Sequence, residues 1–302
     1  MSSINTNLSA MTALQSLKTT QSALSKTQGQ ISTGLRVGEA SHNASYWSIA
    51  TQMKSDNGAL GAVKDAIGQS KAMINTFTSA MDKALTYLNK MKEGLVTARQ
   101  PGADLDKIQG EFAAHIEGMK SAAASAVFNE QNWVGGAAPT AEPELVVSYD
   151  GSTNKVQTLK IDTTKTRLFE DSAAGIGGLL GGTDTTTAGT LDPGTGIAGI
   201  KLVAGTTTTA QIDAHLLTVD AAIKAVTEGS AMLGANKALL ETQEEFIGVL
   251  SDSLEAGVST FVDADMNEAS TRLQALQTQQ QLGVQALSIA NQNSQMILKL
   301  FQ

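Results

Sequence analysis

Apolar residues recur every third or fourth position at both ends of the 302-residue chain, over Met1 to Leu35 and again over Val262 to Gln302, and neither stretch contains proline. That period predicts one long helix at each end with a single apolar stripe. In the C-terminal stretch Val262, Met266, Ala269, Leu273, Leu276, Gln280, Gly283, Leu287, Ala290, Ser294, Ile297 and Phe301 advance by alternating steps of four and three, the a/d seam of a coiled coil. Gln280, Gly283 and Ser294 weaken that seam, so the helix gains order only when packed. In the N-terminal stretch Leu17, Gln21, Leu24, Gln28, Ile31 and Leu35 keep the same period, and Ile4, Leu8, Met11 and Leu14 precede them one residue out of phase. An ordinary amphipathic helix pair inside one globule is the weaker alternative that the period alone leaves open.

Between these ends the pattern changes twice. From Ala40 to about Ala126 it stays helical, with Leu60, Ile67, Ile74, Phe77, Met81, Leu88, Met91 and Leu95 on the apolar side. Gln100-Pro101-Gly102-Ala103 breaks it, and Asp104 is placed to cap a second helix through Ile108, Phe112, Ile116 and Met119. Asn132 to Gly136 closes this helical hairpin, with Trp133 as its anchor. The segment Ala137 to Thr209 holds three of the four prolines and runs of Gly and Thr. Within it, Leu145 to Tyr149 and Val156 to Ile161 read as two strands joined across Asp150 to Asn154. Helical period resumes at Ile212 and continues to Leu250.

The expected fold class is therefore mainly α: a nested long-helix coiled-coil rod formed by both termini, with a small β-containing central insertion. Three parts are expected. Residues 1–39 and 256–302 form a terminal coiled-coil polymerisation domain, residues 40–136 and 210–255 a helical rod domain, and residues 137–209 a surface-exposed variable insertion.

Composition narrows the chemistry. The chain has no cysteine, which excludes disulfides and thiolate metal sites. Its net charge of -8 argues against nucleic acid as a partner, since phosphate contact needs clustered Lys and Arg. No stretch of 18 apolar residues is present, and Met1 to Ala10 lacks the basic and apolar regions of a secretion signal, so neither membrane insertion nor general export by such a peptide is expected. His42, His115 and His215 are far apart and outside any metal-ligand spacing. Glu241, Glu244, Glu245, Asp252 and Glu255 spread over several helix faces without an adjacent Lys or Arg and read as a solvated acidic face. Gly175 to Gly182 is Gly-rich but lacks the preceding strand and following Lys-Ser/Thr that a phosphate loop needs. No catalytic residue, cofactor or metal is expected, and the chain is not read as an enzyme.

Several stretches together resemble bacterial flagellins. Ile31-Ser32-Thr33-Gly34-Leu35-Arg36-Val37, followed by Ala44 and Trp47-Ser48-Ile49-Ala50, is similar to the family's Leu-Ser-Ser-Gly-Leu-Arg-type segment and the helix after it. Asp104 to Gln109, the Phe128-Asn129 pair, Val262 to Met266, and Ala290 to Gln295 are further matches, in the family's order. The resemblance covers roughly Met1 to Trp133 and Leu216 to Gln302 and omits the middle, which the family varies.

It implies a structural subunit that polymerises with many copies of itself into the helical flagellar filament used for swimming motility. The terminal helices would line the lumen and the insertion would lie outside. A hook-filament junction protein, or a secreted adhesin with flagellin-like ends, is the alternative reading. The implied seam comprises Ile4, Leu8, Met11, Leu17, Leu24, Ile31, Leu35, Leu273, Leu276, Leu287, Ile297 and Phe301. The resemblance further implies secretion to the extracellular flagellum through a dedicated channel, an export chaperone and a capping protein. Many flagellins also carry a helical patch sensed by an animal Toll-like receptor, centred on Arg, Glu and Leu with a second Glu on the next helix. Here Lys92 replaces that Arg, Glu93 follows, Gly94 replaces the Leu and Glu111 matches the second Glu, so weak or absent recognition is expected.

Overall fold

A side-chain cap starts the first helix. The Asn7 carboxamide oxygen accepts from the Ala10 N–H at 3.1 Å and opens α1, Leu8–Thr33. Gly34, at φ 72°, closes it in the left-handed conformation, its N–H donating to the Gln30 carbonyl at 2.9 Å. The other elements are α2 (Ala44–Ala98), α3 (Leu105–Ser125), β1 (Glu144–Asp150), β2 (Lys155–Lys160), β3 (Glu170–Ser172), β4 (Gly175–Gly177), α4 (Thr209–Val262) and α5 (Met266–Leu300). This computed structural model describes residues 7–136, 142–153, 155–172, 175–180 and 196–300, the side chains of 171–172, 175–177 and 293–300 excepted. Ile4, Phe301 and the side chain of Ile297, all assigned to the seam from sequence, lie outside that description.

The chain forms two compact units, 1–58 with 250–302, and 59–249, whose boundaries fall inside α2 and α4. In the first unit α1 and α5 run antiparallel. Asn7 Nδ2 donates to the Ala290 carbonyl at 2.9 Å, Gln280 Nε2 donates to Gln21 Oε1 at 2.7 Å, and Leu17 fills the space left by Gly283. A short hinge links them to the α4 terminus: Arg36 N donates to the Val262 carbonyl at 2.7 Å and Ala264 N to the Gly34 carbonyl at 2.9 Å. Ala50, Val258 and Val262 form a small core there, flanked by Leu35, Met53 and Phe261. Asp265 caps α5 through the N–H groups of Asn267 and Glu268.

The α5 seam has the spacing read from sequence: Ala269 is buried and Leu273, Leu276, Gln280, Gly283, Leu287 and Ala290 are half-buried, with Met266 exposed in the first turn. On α1 the phase needs a correction. Leu17, Leu24, Ile31 and the following Leu35 do turn inward, but the alternate positions are Thr20 and Thr27 in place of Gln21 and Gln28. Ahead of them Asn7, Ala10 and Ala13 face inward, which turns Leu8, Met11 and Leu14 out to solvent. One helix presents one face to its partner, so residues one step out of phase lie about 100° away from it.

In the second unit Ile67, Ile74, Phe77, Met81, Leu88, Met91 and Leu95 of α2 are fully buried, as are Val219, Val226, Leu233 and Leu240 of α4. Ion pairs register these antiparallel helices: Lys71 to Glu244 at 2.8 Å, Lys92 to Asp220 at 2.6 Å and Arg99 to Asp213 at 2.9 Å. Of the acidic residues read as a solvated face on α4, Glu244 is half-buried against Lys71 from a distant part of the chain, while Glu241, Glu245, Asp252 and Glu255 are exposed. The Glu244 carboxylate raises the Lys71 pKa above its ordinary value.

Pro101 and Gly102, the latter at φ 87°, break the hairpin, and the Asp104 carboxylate accepts from Lys107 N to cap α3. Trp133 is buried, its ring centroid 4.6 Å from that of Phe77. β1 and β2 pair antiparallel with Asp150 opposite Lys155, the hairpin expected from the sequence. A three-residue strand, β3, does precede the Gly-rich stretch, contrary to the sequence reading, but it pairs antiparallel with β4 inside that stretch, and the Lys-Ser/Thr of a phosphate loop is still missing from the sequence after it. Residues 137–209 are also more than an appendage, since Ile161, Leu168, Leu180, Ile197, Ile200 and Leu202 are all buried within this unit.

Candidate functional site: a surface on the terminal helices

Helices α1 and α5 bury only one narrow stripe on each other. Leu8 remains 76% exposed, Met11 60%, Leu282 59% and Ile289 60%, and Leu14 and Val284 are also open. Soluble monomers leave single large apolar residues in water without consequence; here six stand open on one helix pair, Leu282 and Ile289 on one flank of α5 and Val284 on the other. Beside Ile289 the two helices leave a shallow groove floored by small residues, among them Ser9, Ala13, Ala286 and Ala290. Helices with small residues at a contact approach closely and admit side chains from a third.

Of the seam predicted from sequence, Leu17, Leu24, Ile31, Leu273, Leu276 and Leu287 therefore serve the α1–α5 pairing and Leu35 the small core at the hinge, whereas Leu8 and Met11 face away. Leu282, Val284 and Ile289 were missed. Their signal was available as large apolar residues lying off the four-three seam, in a stretch from Asn267 to Asn293 whose other off-seam positions are polar or alanine.

A second feature lies near the hinge. Lys26, Arg36, His42 and Arg272 rim an open groove floored by Thr27 and Leu276, and its lining contains no carboxylate. The Arg36 guanidinium is held in place by donating to the carbonyls of Thr260 and Phe261.

In the receptor-like patch, Lys92 is drawn to Asp220 and Glu93 is exposed on α2, while Glu111 is exposed on α3. Gly94 faces the Phe112 ring. Among the described residues there is no group of His, Asp or Glu arranged to hold a metal ion, and no helix is long and apolar enough to cross a membrane.

The profile for the bacterial flagellin N-terminal helical region matches residues 4–138, and that for the C-terminal helical region matches residues 216–301. Flagellin C of Rhizobium meliloti (strain 1021) is 45% identical, and the flagellin of Brucella melitensis biotype 1 is 41% identical, each over the whole of both chains. A flagellin A of Rhizobium meliloti is 35% identical, again over full length. These similarities favour a filament subunit over a junction protein or an adhesin. With an exposed apolar face on paired terminal helices, and both terminal regions matched, the chain belongs to the bacterial flagellins, structural subunits of the flagellar filament rather than enzymes.

Proposed function

We propose that this filament subunit assembles by burying the outward face of α1 and α5, carried by Leu8, Met11, Leu14, Leu282 and Ile289, against the same helices of neighbouring copies. The inner stripe then holds each pair together, and the outer stripe joins pairs in a heterologous contact that extends instead of closing. The observation that carries this is the exposure of Leu8, Met11, Leu282 and Ile289 in a single copy. The test is electron microscopy of the Leu8→Ser, Met11→Ser, Ile289→Ser variant, with circular dichroism of the monomer. Retained helicity without filaments is expected; filaments of normal diameter would overturn the assignment.

Several finer points accompany this reading. Residues 1–39 and 256–302 act as the polymerisation domain, residues 40–136 and 210–255 as the wall, and the exposed β1–β2 hairpin projects from the insertion. The chain leaves the cell through the dedicated flagellar export channel with the help of an export chaperone, and a capping protein guides its addition. The weak interior of the α5 seam, with Gln280 and Gly283, supports export in an incompletely folded form. Recognition by the animal Toll-like receptor is weak or absent, because Lys92 lacks a guanidinium fork and Gly94 offers no apolar anchor. A reporter-cell dose response with purified monomer tests that point, and potency equal to a strongly stimulating flagellin would refute it.

A further inference from the structure

The groove near the hinge is rimmed by cations in a chain whose net charge is -8. Its volume of about 650 Å³ is far larger than one ordered water or small anion fills, so its size suits side chains from a protein surface. The carboxylates of the same unit can be sorted by what they do. Glu39 accepts from Ser41, Asp56 from Gln52, Asp265 caps α5 and Glu268 pairs with Arg272. Asp263 lies in the hinge itself, bridged through its backbone to Leu35. Asp252 and Glu255 are left, both exposed and three residues apart on α4, hence on one face of that helix.

We propose that the Lys26–Arg36–Arg272 groove receives the Asp252–Glu255 face of a second copy of this chain. This rests on the filament reading, which supplies copies that each present both surfaces. A basic groove and an acidic helix face on different parts of one subunit make a head-to-tail contact, which repeats without closing. Its charges set the register and reject misaligned neighbours, since like charges brought together repel. Arg36, already oriented by two backbone carbonyls, enters the contact with little freedom left to lose.

The experiment uses the full chain in four forms: wild type, Lys26→Glu with Arg272→Glu, Asp252→Lys with Glu255→Lys, and all four substitutions together. Each pair of reversals should raise the critical concentration for polymerisation about tenfold or more, by replacing attraction with repulsion. The fourfold variant, with both charges exchanged, should regain assembly, and so should an equimolar mixture of the two half-variants. Zero-length carbodiimide coupling of wild-type protein gives a readout that needs no variant. Lys26 should become joined to Asp252 or Glu255 between subunits in filaments and remain unjoined in monomer. Half-variants that assemble like wild type, a fourfold variant that stays monomeric beside functional wild type, or filaments without that cross-link would each overturn the contact while leaving the filament reading intact. Wild-type protein that forms no filaments would remove both.

Discussion

The ring of Phe112 occupies the space that a side chain at residue 94 would need: a β-carbon built on Gly94 would stand 2.7 Å from Phe112 Cε1. Phe112 is buried on α3, with Ile108 also close, so the contact joins the two arms of the helical hairpin. Gly94 thus does more than omit an apolar anchor, because its bare backbone lets α3 approach α2.

Gly94→Leu is therefore expected to destabilise the monomer by about 1–3 kcal/mol, overpacking outweighing the gain in helix propensity. Lys92→Arg should be close to neutral, its charge still facing Asp220. The Lys92→Arg, Gly94→Leu variant should melt at lower temperature than Lys92→Arg alone, so any recovered receptor signalling has to be read against that loss. Thermal unfolding of the three proteins decides it. An unchanged melting temperature for Gly94→Leu would mean that the Phe112 ring moves aside freely.

Gln109 ties the central segment to α3. Its Oε1 accepts from the Leu202 N–H at 2.7 Å and its Nε2 reaches the Ile200 carbonyl at 3.5 Å, beside side chains that are 1% and 2% exposed. Gln109→Ala leaves a backbone donor without its acceptor, and a loss of about 1–3 kcal/mol is expected, with Gln109→Glu losing less because it keeps that acceptor. By the same logic, replacing 138–207 with a short linker should lower the stability of the helices and not merely trim the surface, since Leu168, Ile200 and Leu202 leave with it. Chemical denaturation of each variant measures both effects.

Much of this was legible in the sequence wherever a local rule governs. The four-three seam of α5, the Asp104 cap, the break at Pro101-Gly102 and the hairpin turn after Asp150 are decided by residues a few positions apart. The direction in which Leu8, Met11 and Leu14 point was not, because a period defines a stripe but the partner decides which stripe is buried. Lys71 with Glu244 and Gln109 with Leu202 lie 173 and 93 residues apart, and nothing local announces such pairs. Gly94 looked like a missing anchor for a similar reason, since its role depends on a ring from the following helix.

Asp150 offers a pH test. The hydroxyls of Thr153 and Ser152 and the Ser152 N–H donate to its carboxylate and lower its pKa from 3.8 to about 2. A carboxylate depressed in this way supports the turn fully above its unfolded value near 3.8, and that support is lost as pH falls through the folded value near 2. Carbon-detected NMR titration should therefore place the Asp150 midpoint well below those of unbonded aspartates, and the Ser152 amide should shift over the same range. Thr153→Val should raise the midpoint; if it does not move, Thr153 is not holding the carboxylate.

Arg167 sets the opposite problem, a cation kept from water with little to hold it. It is 5% exposed, its Nε and Nη2 make no hydrogen bond among the described residues, and Glu170 stands 4.0 Å from Nη1. The backbone around it is fixed, because Arg167 N donates to the Thr163 carbonyl, Leu168 N to the Val134 carbonyl and Leu179 N to the Arg167 carbonyl. Substituting the side chain therefore leaves the local path intact. A buried charge without full pairing is costly, and an apolar replacement of similar length removes that cost while keeping the packing. Arg167→Met is expected to be neutral or to stabilise the protein by up to about 3 kcal/mol, and Arg167→Ala to gain less because it opens a cavity. Denaturant unfolding of the two variants beside wild type measures the difference. If Arg167→Met instead loses more than about 1 kcal/mol, the guanidinium is satisfied in solution and serves as a structural tie between β3 and the loop after Trp133.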